Sequence, residues 1–184
     1  CVNGSVAKID LTGLGITGSL PDSFGSFSNL TSLIIPQNSF VGPLPSSFKN
    51  LTSLVVVDIH NNYFGTSSQG RRQLEVSQQS PLDIFSSLSQ LEYLDISGNS
   101  FAGIIPQALC SLSLKTLLVK SITKSNYPQN NFSCISSCLT ENDGLVLSIP
   151  SSLSVCLDNF PTLSPTTPQN ILSNNQPTTP TAWA

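Results

Sequence analysis

Residues 30–45 read LTSLIIPQNSFVGPLP and residues 91–106 read LEYLDISGNSFAGIIP. Laid over each other they match Leu30 with Leu91, Leu33 with Leu94, Ile35 with Ile96, Asn38 with Asn99, Phe40 with Phe101, Gly42 with Gly103, Leu44 with Ile105 and Pro45 with Pro106. Moved 24 residues toward the N-terminus, the frame that starts at Leu30 meets Val6, Ile9, Leu11, Leu14, Ile16, Gly18, Leu20 and Pro21. Moved 24 residues the other way, it meets Leu54, Val57, Ile59, Asn62 and Phe64. The chain is therefore a repeat, L-x-x-L-x-L-x-x-N-x-L-x-G-x-I-P, and its fold follows from one unit.

Each position of the unit has a physical reason. The x-L-x-L-x stretch alternates and reads as a short strand with one buried face. The Asn closes the strand, because its amide can satisfy backbone groups of a neighbouring turn. Asn38, Asn62 and Asn99, with Asn130 in the last, degenerate repeat, are the expected asparagine ladder. Leu14 stands where the first repeat would have its Asn, so the ladder starts one unit late. Gly permits the following turn, and Pro opens a segment of restricted φ with apolar residues every third position, such as Pro45, Phe48, Leu51 and Leu54. That spacing suits a 3₁₀-like back side. One unit cannot bury its own apolar edges, so the units stack into a curved solenoid with a shared core.

Composition agrees. Of 184 residues only 9% are charged, against 39% apolar, with 13 Pro and 11 Gly, which disfavours long helices. The net charge of −3 offers no basic field for nucleic acid or anionic lipid. The longest weakly polar window, Gly144 to Leu157, is too short for a membrane span. There is no Met and the first residue is Cys1, so the chain reads as a processed product or a piece of a longer one. No nucleophile elbow, glycine-rich phosphate loop or metal-ligand pair is present, and His60 is the single histidine. The chain is expected not to be an enzyme, with no cofactor and no metal.

The 24-residue period with L-x-G-x-I-P resembles the plant-type leucine-rich repeat of receptor-like kinase and receptor-like protein ectodomains and of polygalacturonase-inhibiting proteins. The resemblance implies an α/β fold class: a right-handed leucine-rich-repeat solenoid with a curved parallel sheet on the concave face and a 3₁₀ and loop back side. We expect a solenoid over 1–139, with about five repeats starting at 6, 30, 54, 91 and 114, a cap or transition over 140–158, and a disordered Pro/Thr/Asn-rich stalk or linker over 159–184. Between Leu54 and Leu91 lies an insertion at about 66–80, holding both arginines, Arg71 and Arg72. It is either a solvated loop or a contact loop.

The ends carry further implications of the resemblance. Cys1-Val2-Asn3-Gly4-Ser5-Val6 looks like the end of the family's N-terminal cap, so the chain would open inside that cap and Cys1 would pair with a missing upstream cysteine. Leu109-Cys110 and Cys138-Leu139 resemble a pattern in which cysteines of successive turns bridge. It implies two disulfides among Cys110, Cys134, Cys138 and Cys156, with Cys110–Cys138 the first pair. A zinc site is the alternative. Disulfides imply an oxidising compartment, and four sequons agree with it, at Asn3, Asn29, Asn50 and Asn131. By phase, Asn29 and Asn50 fall on the convex side.

In phase, the outward strand positions make three concave columns, which we take as the ligand-binding face. The first is Lys8, Ser32, Val56, Tyr93 and Thr116. The second is Asp10, Ile34, Asp58, Asp95 and Leu118. The third is Thr12, Pro36, His60, Ser97 and Lys120. Tyr93, Asp58, Asp95 and His60 are expected to cluster, and Asp95 to raise the pKa of His60. The function implied is an extracellular recognition module of a cell-surface receptor-like protein, taking a protein or peptide ligand, with a co-receptor or polysaccharide as other partners and a membrane tether beyond the C-terminus. The alternative is a secreted wall-associated binder or hydrolase inhibitor without an anchor.

Overall fold

A computed structural model describes residues 5–65, 80–120 and 126–156. The expectations for Cys1, Asn3, most of the 66–80 insertion and the 159–184 stalk lie outside the described residues. The elements run β1 (Lys8–Asp10), β2 (Thr17–Gly18), 3₁₀ turn η1 (Asp22–Ser26), β3 (Ser32–Ile34), β4 (Ser39–Gly42), η2 (Ser46–Asn50), β5 (Val56–Asp58), β6 (Tyr63–Phe64), η3 (Asp83–Ser87), β7 (Tyr93–Asp95), β8 (Ala102–Ile105), η4 (Gln107–Ser111), β9 (Thr116–Leu118), β10 (Asn131–Ile135), α1 (Ser137–Thr140), β11 (Val146–Ser148) and β12 (Ser154–Val155). Among the described residues, no helix is long and apolar enough to cross a membrane.

The architecture is a leucine-rich-repeat solenoid. One strand from each turn of the coil enters a six-stranded sheet in the order β1-β3-β5-β7-β9-β11, and every pair is parallel. Each turn then makes a second short strand, collected in two three-stranded sheets, β2-β4-β6 and β8-β10-β12. The 3₁₀ turns η1 to η4 form the back. Pro21, Pro45 and Pro106 immediately precede η1, η2 and η4 with φ of −77°, −65° and −78°, the value the pyrrolidine ring imposes. The 3₁₀ turns stack so closely that a Cβ at Gly25 would lie 2.5 Å from the Ser47 carbonyl oxygen.

The core is the set of repeat positions themselves. Leu30, Leu33, Leu54, Val57, Ile59, Leu91, Leu94, Ile96 and Leu117 are fully buried. Between repeats, Phe40 stacks on Phe64 with ring centroids 5.7 Å apart, and Phe48 meets Phe85 edge-on at 5.8 Å. At roughly 25 cal/mol per Å² of apolar surface, burying each of these side chains contributes about 1.5–3 kcal/mol, and each does so against the next repeat rather than its own.

The asparagines close the corners. Asn38 Oδ1 accepts the Ile16 N–H at 3.0 Å, and its Nδ2 donates back to Leu11 O at 2.8 Å. Asn62 takes the Phe40 N–H and donates to Ile35 O; Asn99 takes the Phe64 N–H and donates to Ile59 O. Asn130 takes the Phe101 N–H and donates to Ile96 O and Val119 O. Each amide thus satisfies one donor and one carbonyl of the preceding repeat. Leu14, with no such chemistry, points out and is 63% exposed.

The sheet also runs one strand beyond the five repeats expected. Val146–Ser148, inside the stretch expected as a cap, pairs in parallel with Thr116–Leu118. Leu145, Leu147 and Ile149 alternate toward the core, which is what extends the sheet. Disulfides fasten this end: Cys110–Cys138 joins η4 to α1 with Cα atoms 6.0 Å apart, and Cys134–Cys156 joins β10 to the residue after β12 with Cα atoms 5.1 Å apart.

Candidate functional site

The sheet register puts the columns side by side. Lys8, Ser32, Val56, Tyr93, Thr116 and Val146 are successive partners, and so are Asp10, Ile34, Asp58, Asp95, Leu118 and Ser148. Val146 and Ser148 extend the two columns beyond the residues read from the sequence, and the Leu145-x-Leu147-x-Ile149 alternation was the signal for them. The third column lies just past the strands and is joined by backbone bonds from Gly13 to Pro36, Gln37 to His60 and Asn61 to Ser97.

Accessibility divides the face. Lys8, Asp10, Thr12 and Lys120 are exposed; Ser32, Ile34, Val56, Asp58, His60, Tyr93, Thr116 and Leu118 are half-buried. Asp95 and Ser97 are each only 6% exposed, so these two residues of the expected ligand face support the surface rather than form it. Pro36 is buried as well.

Asp95 has a local task. Its Oδ1 accepts the Ser97 N–H at 2.9 Å. Asp58 does the same for the His60 N–H at 3.2 Å, and Asp10 for the Thr12 N–H at 3.4 Å and hydroxyl at 2.8 Å. The recurrence Asp10-x-Thr12, Asp58-x-His60 and Asp95-x-Ser97 is an Asx-type turn that closes the strand where the chain bends away. Its signal in the sequence is an Asp at a fixed phase of the repeat, two residues before Thr, His or Ser.

The centre of the face is a cluster of titratable groups. His60 Nδ1 is 2.6 Å from Asp58 Oδ1 and 3.6 Å from Asp95 Oδ2 across the strand pair. The hydrogen bond to Asp58 holds the imidazole pKa above its ordinary value against the opposing effect of burial, with the charges of Asp58 and Asp95 adding to it. Burial pushes the Asp95 carboxyl up. Tyr93 is pushed up by burial first and then by the two carboxylates. At the open end of the sheet, the Thr12 hydroxyl bond holds Asp10 below the usual carboxylate range. Beside the cluster, Asn61 is buried with its Oδ1 unpartnered among the described residues. Gly98, at φ +60°, lets the backbone come close to that oxygen, which a Cβ would displace.

The three donors Asp58, His60 and Asp95 lie within 4.8 Å of one another and are the one set among the described residues with metal-ligand spacing. The remaining ion pairs, Lys8–Asp10 at 3.4 Å and Lys115–Glu92 at 2.8 Å, are exposed and add little. The three described sequons sit away from the six-stranded sheet: Asn50 ends η2 and Asn29 follows η1, both exposed on the 3₁₀ side, and exposed Asn131 opens β10.

A family model described as Leucine Rich Repeat matches residues 29–51 and 90–112. Receptor-like protein 39 of Arabidopsis thaliana is 30% identical over 132 residues, covering 64% of this chain and 14% of that protein. MDIS1-interacting receptor like kinase 1, also from Arabidopsis thaliana, is 35% identical over 111 residues, 60% of this chain and 9% of that protein. The chain thus spans a small part of the relatives it matches, and the kinases among them match over their repeats only. The crystal structure of the ectodomain of the receptor kinase SOBIR1 from Arabidopsis thaliana superposes with a TM-score of 0.59 at 24% identity, covering 80% of this chain and 71% of that one. That likeness concerns the fold. Together they show that the chain carries leucine-rich repeats like those of plant receptor-like proteins and receptor kinases and shares the fold of such an ectodomain.

Proposed function

We propose that this leucine-rich-repeat solenoid is the extracellular ligand-recognition module of a receptor-like protein, and that it takes a protein or peptide through its concave sheet. One observation carries the reading. The middle of the face offers a half-buried Tyr93, the aliphatic Val56 and Ile34, and the polar Asp58 on the sheet, with His60 just past it. Aromatic and aliphatic anchors ringed by charge suit a partner with mixed side chains. A flat polysaccharide or an ordered lattice would call for uniform rows, and these columns are mixed. The receptor-like names of the relatives and the paired cysteines agree with display outside the cell, either tethered or secreted.

The test is selection of binders from a random-peptide display library on the folded chain. Peptides so selected are expected to lose at least about tenfold in affinity against Tyr93→Ala or Val56→Asp, the size of a modest hot spot. They should bind Lys49→Glu, on the opposite face, unchanged. Selected peptides that lose affinity to Lys49→Glu and not to the sheet variants would place recognition elsewhere.

A further inference from the structure

We propose that Asn29, Asn50 and Asn131 each carry an N-linked oligosaccharide, and that these sugars cover the 3₁₀ back and one flank of the solenoid while leaving the concave sheet open. Each is the asparagine of an Asn-x-Ser/Thr triplet without proline: Asn29-Leu30-Thr31, Asn50-Leu51-Thr52 and Asn131-Phe132-Ser133. In the transfer, the amide Nδ2 displaces a lipid pyrophosphate from the anomeric carbon of the donor sugar. A nitrogen–carbon bond forms, the carbon–oxygen bond to phosphate breaks, and the amide gives up one proton. The co-reactant is a lipid-linked oligosaccharide of the secretory pathway.

The structure separates asparagines by task. Asn38, Asn62 and Asn99 are buried and Asn130 is half-buried. Both amide atoms of each are bonded in the ladder, and each has Phe two residues on. Asn29, Asn50 and Asn131 are exposed and make no side-chain hydrogen bond among the described residues, and each has Thr or Ser two residues on. Asn130 and Asn131 are neighbours in the chain and fall on opposite sides of this division. The middle residue of each triplet fixes the outward direction: Leu30 and Leu51 are fully buried and Phe132 is only 9% exposed. The core thus anchors each triplet while its asparagine faces water, which is where a bulky, hydrated group fits.

Two other features of the chain agree. A folded surface is usually about a quarter to a third charged. The 3₁₀ back is far poorer than that: η1 carries Asp22, η2 carries Lys49, η3 carries Asp83 and η4 carries no charge. Oligosaccharides at Asn29 and Asn50 supply the hydration that side-chain charge does not. The disulfides Cys110–Cys138 and Cys134–Cys156 belong to the same oxidising route on which these sugars are added.

None of the three lies in a concave column. Asn50 ends η2, Asn29 follows η1, and Asn131 opens β10 in the sheet β8-β10-β12, away from the six-stranded sheet. That the sugars spare the ligand face rests on the recognition reading above; the three sites themselves do not.

The test uses the full chain secreted from cultured plant cells. A peptide-N-glycosidase in heavy-oxygen water turns each occupied Asn into a mass-labelled Asp, which peptide mapping locates. Label is expected at Asn29, Asn50 and Asn131. It is expected to be absent at Asn126 and Asn142, which are exposed but have no Ser or Thr two residues on. Thr52→Ala, which keeps Asn50, should lose one glycan. Asn29 or Asn50 unlabelled in the secreted protein would overturn the proposal for the back, and Asn131 unlabelled would overturn it for the flank. Translation into microsomes, read as one gel step per glycan, decides the same question for a variant that does not fold or leave the cell. Peptides selected on the concave sheet should bind the glycosylated and the stripped chain equally well. Binding gained only after stripping would overturn the claim that the sheet stays open, while the mass map still decides the sites.

Discussion

Replacing Asn62 by alanine tests the corner ladder where it is most enclosed. Asn62 is fully buried. Its Oδ1 accepts the Phe40 N–H at 3.1 Å, and its Nδ2 lies 3.0 Å from Ile35 O, 3.2 Å from Ile59 O and 3.3 Å from His60 O. Alanine leaves the Phe40 N–H without a side-chain partner inside the solenoid, while the Ile35 carbonyl keeps the Asn38 Nδ2 at 3.1 Å. A stranded buried polar group costs about 1–3 kcal/mol, and we expect about 2 kcal/mol. For a chain of this size that is a fall in Tm of about 4–8 °C. Asn62→Asp has the same shape and keeps the acceptor for Phe40. It replaces the donor with a buried negative oxygen facing three carbonyls, so it should be at least as damaging as alanine. Asn130→Ala, at a half-buried corner, should cost less. Thermal melting by circular dichroism, with urea melts to fix the free energy, reads all three. A shift under about 2 °C for Asn62→Ala, or an Asn62→Asp protein as stable as the parent, would refute the claim that these amides hold the repeats together.

The pH dependence of stability should follow His60. Its folded pKa is raised, so its contribution is fully present below its unfolded value near 6.5 and is lost as pH rises through the folded value. Tm should therefore fall from pH 6 toward pH 9, and His60→Gln should flatten that slope; an unchanged slope would refute the assignment. Loss of the Cys134–Cys156 bridge, which closes 22 residues, should cost about 3 kcal/mol. In a Cys134→Ala/Cys156→Ala double variant, hydrogen exchange should show the Cys156-position amide, bonded to Ile135 O at 2.8 Å, losing protection before the rest of the sheet. Gly25→Ala drives a methyl against the Ser47 carbonyl and should cost about 1–3 kcal/mol, read by urea melting. A neutral result there would mean that the η1–η2 stack can slide.

The fold class was written in the chain because the repeat unit is its own folding instruction. A strand that alternates Leu33 and Ile35, a corner at Asn38 and a proline at Pro45 leave few ways to stack identical units. Phase alone also ordered the columns, since a parallel register carries residue 56 to the side of residue 93 whatever loop lies between them. What phase does not encode is depth and partnership. Asp58 and Asp95 look equivalent in sequence, yet Asp95 is buried and Asp58 is half-buried. No local pattern states that difference. The imidazole held between two carboxylates and the sixth strand at Val146–Ser148 were decided by tertiary structure. Each depends on which groups from distant turns of the solenoid are pressed together, and on which of them water can still reach.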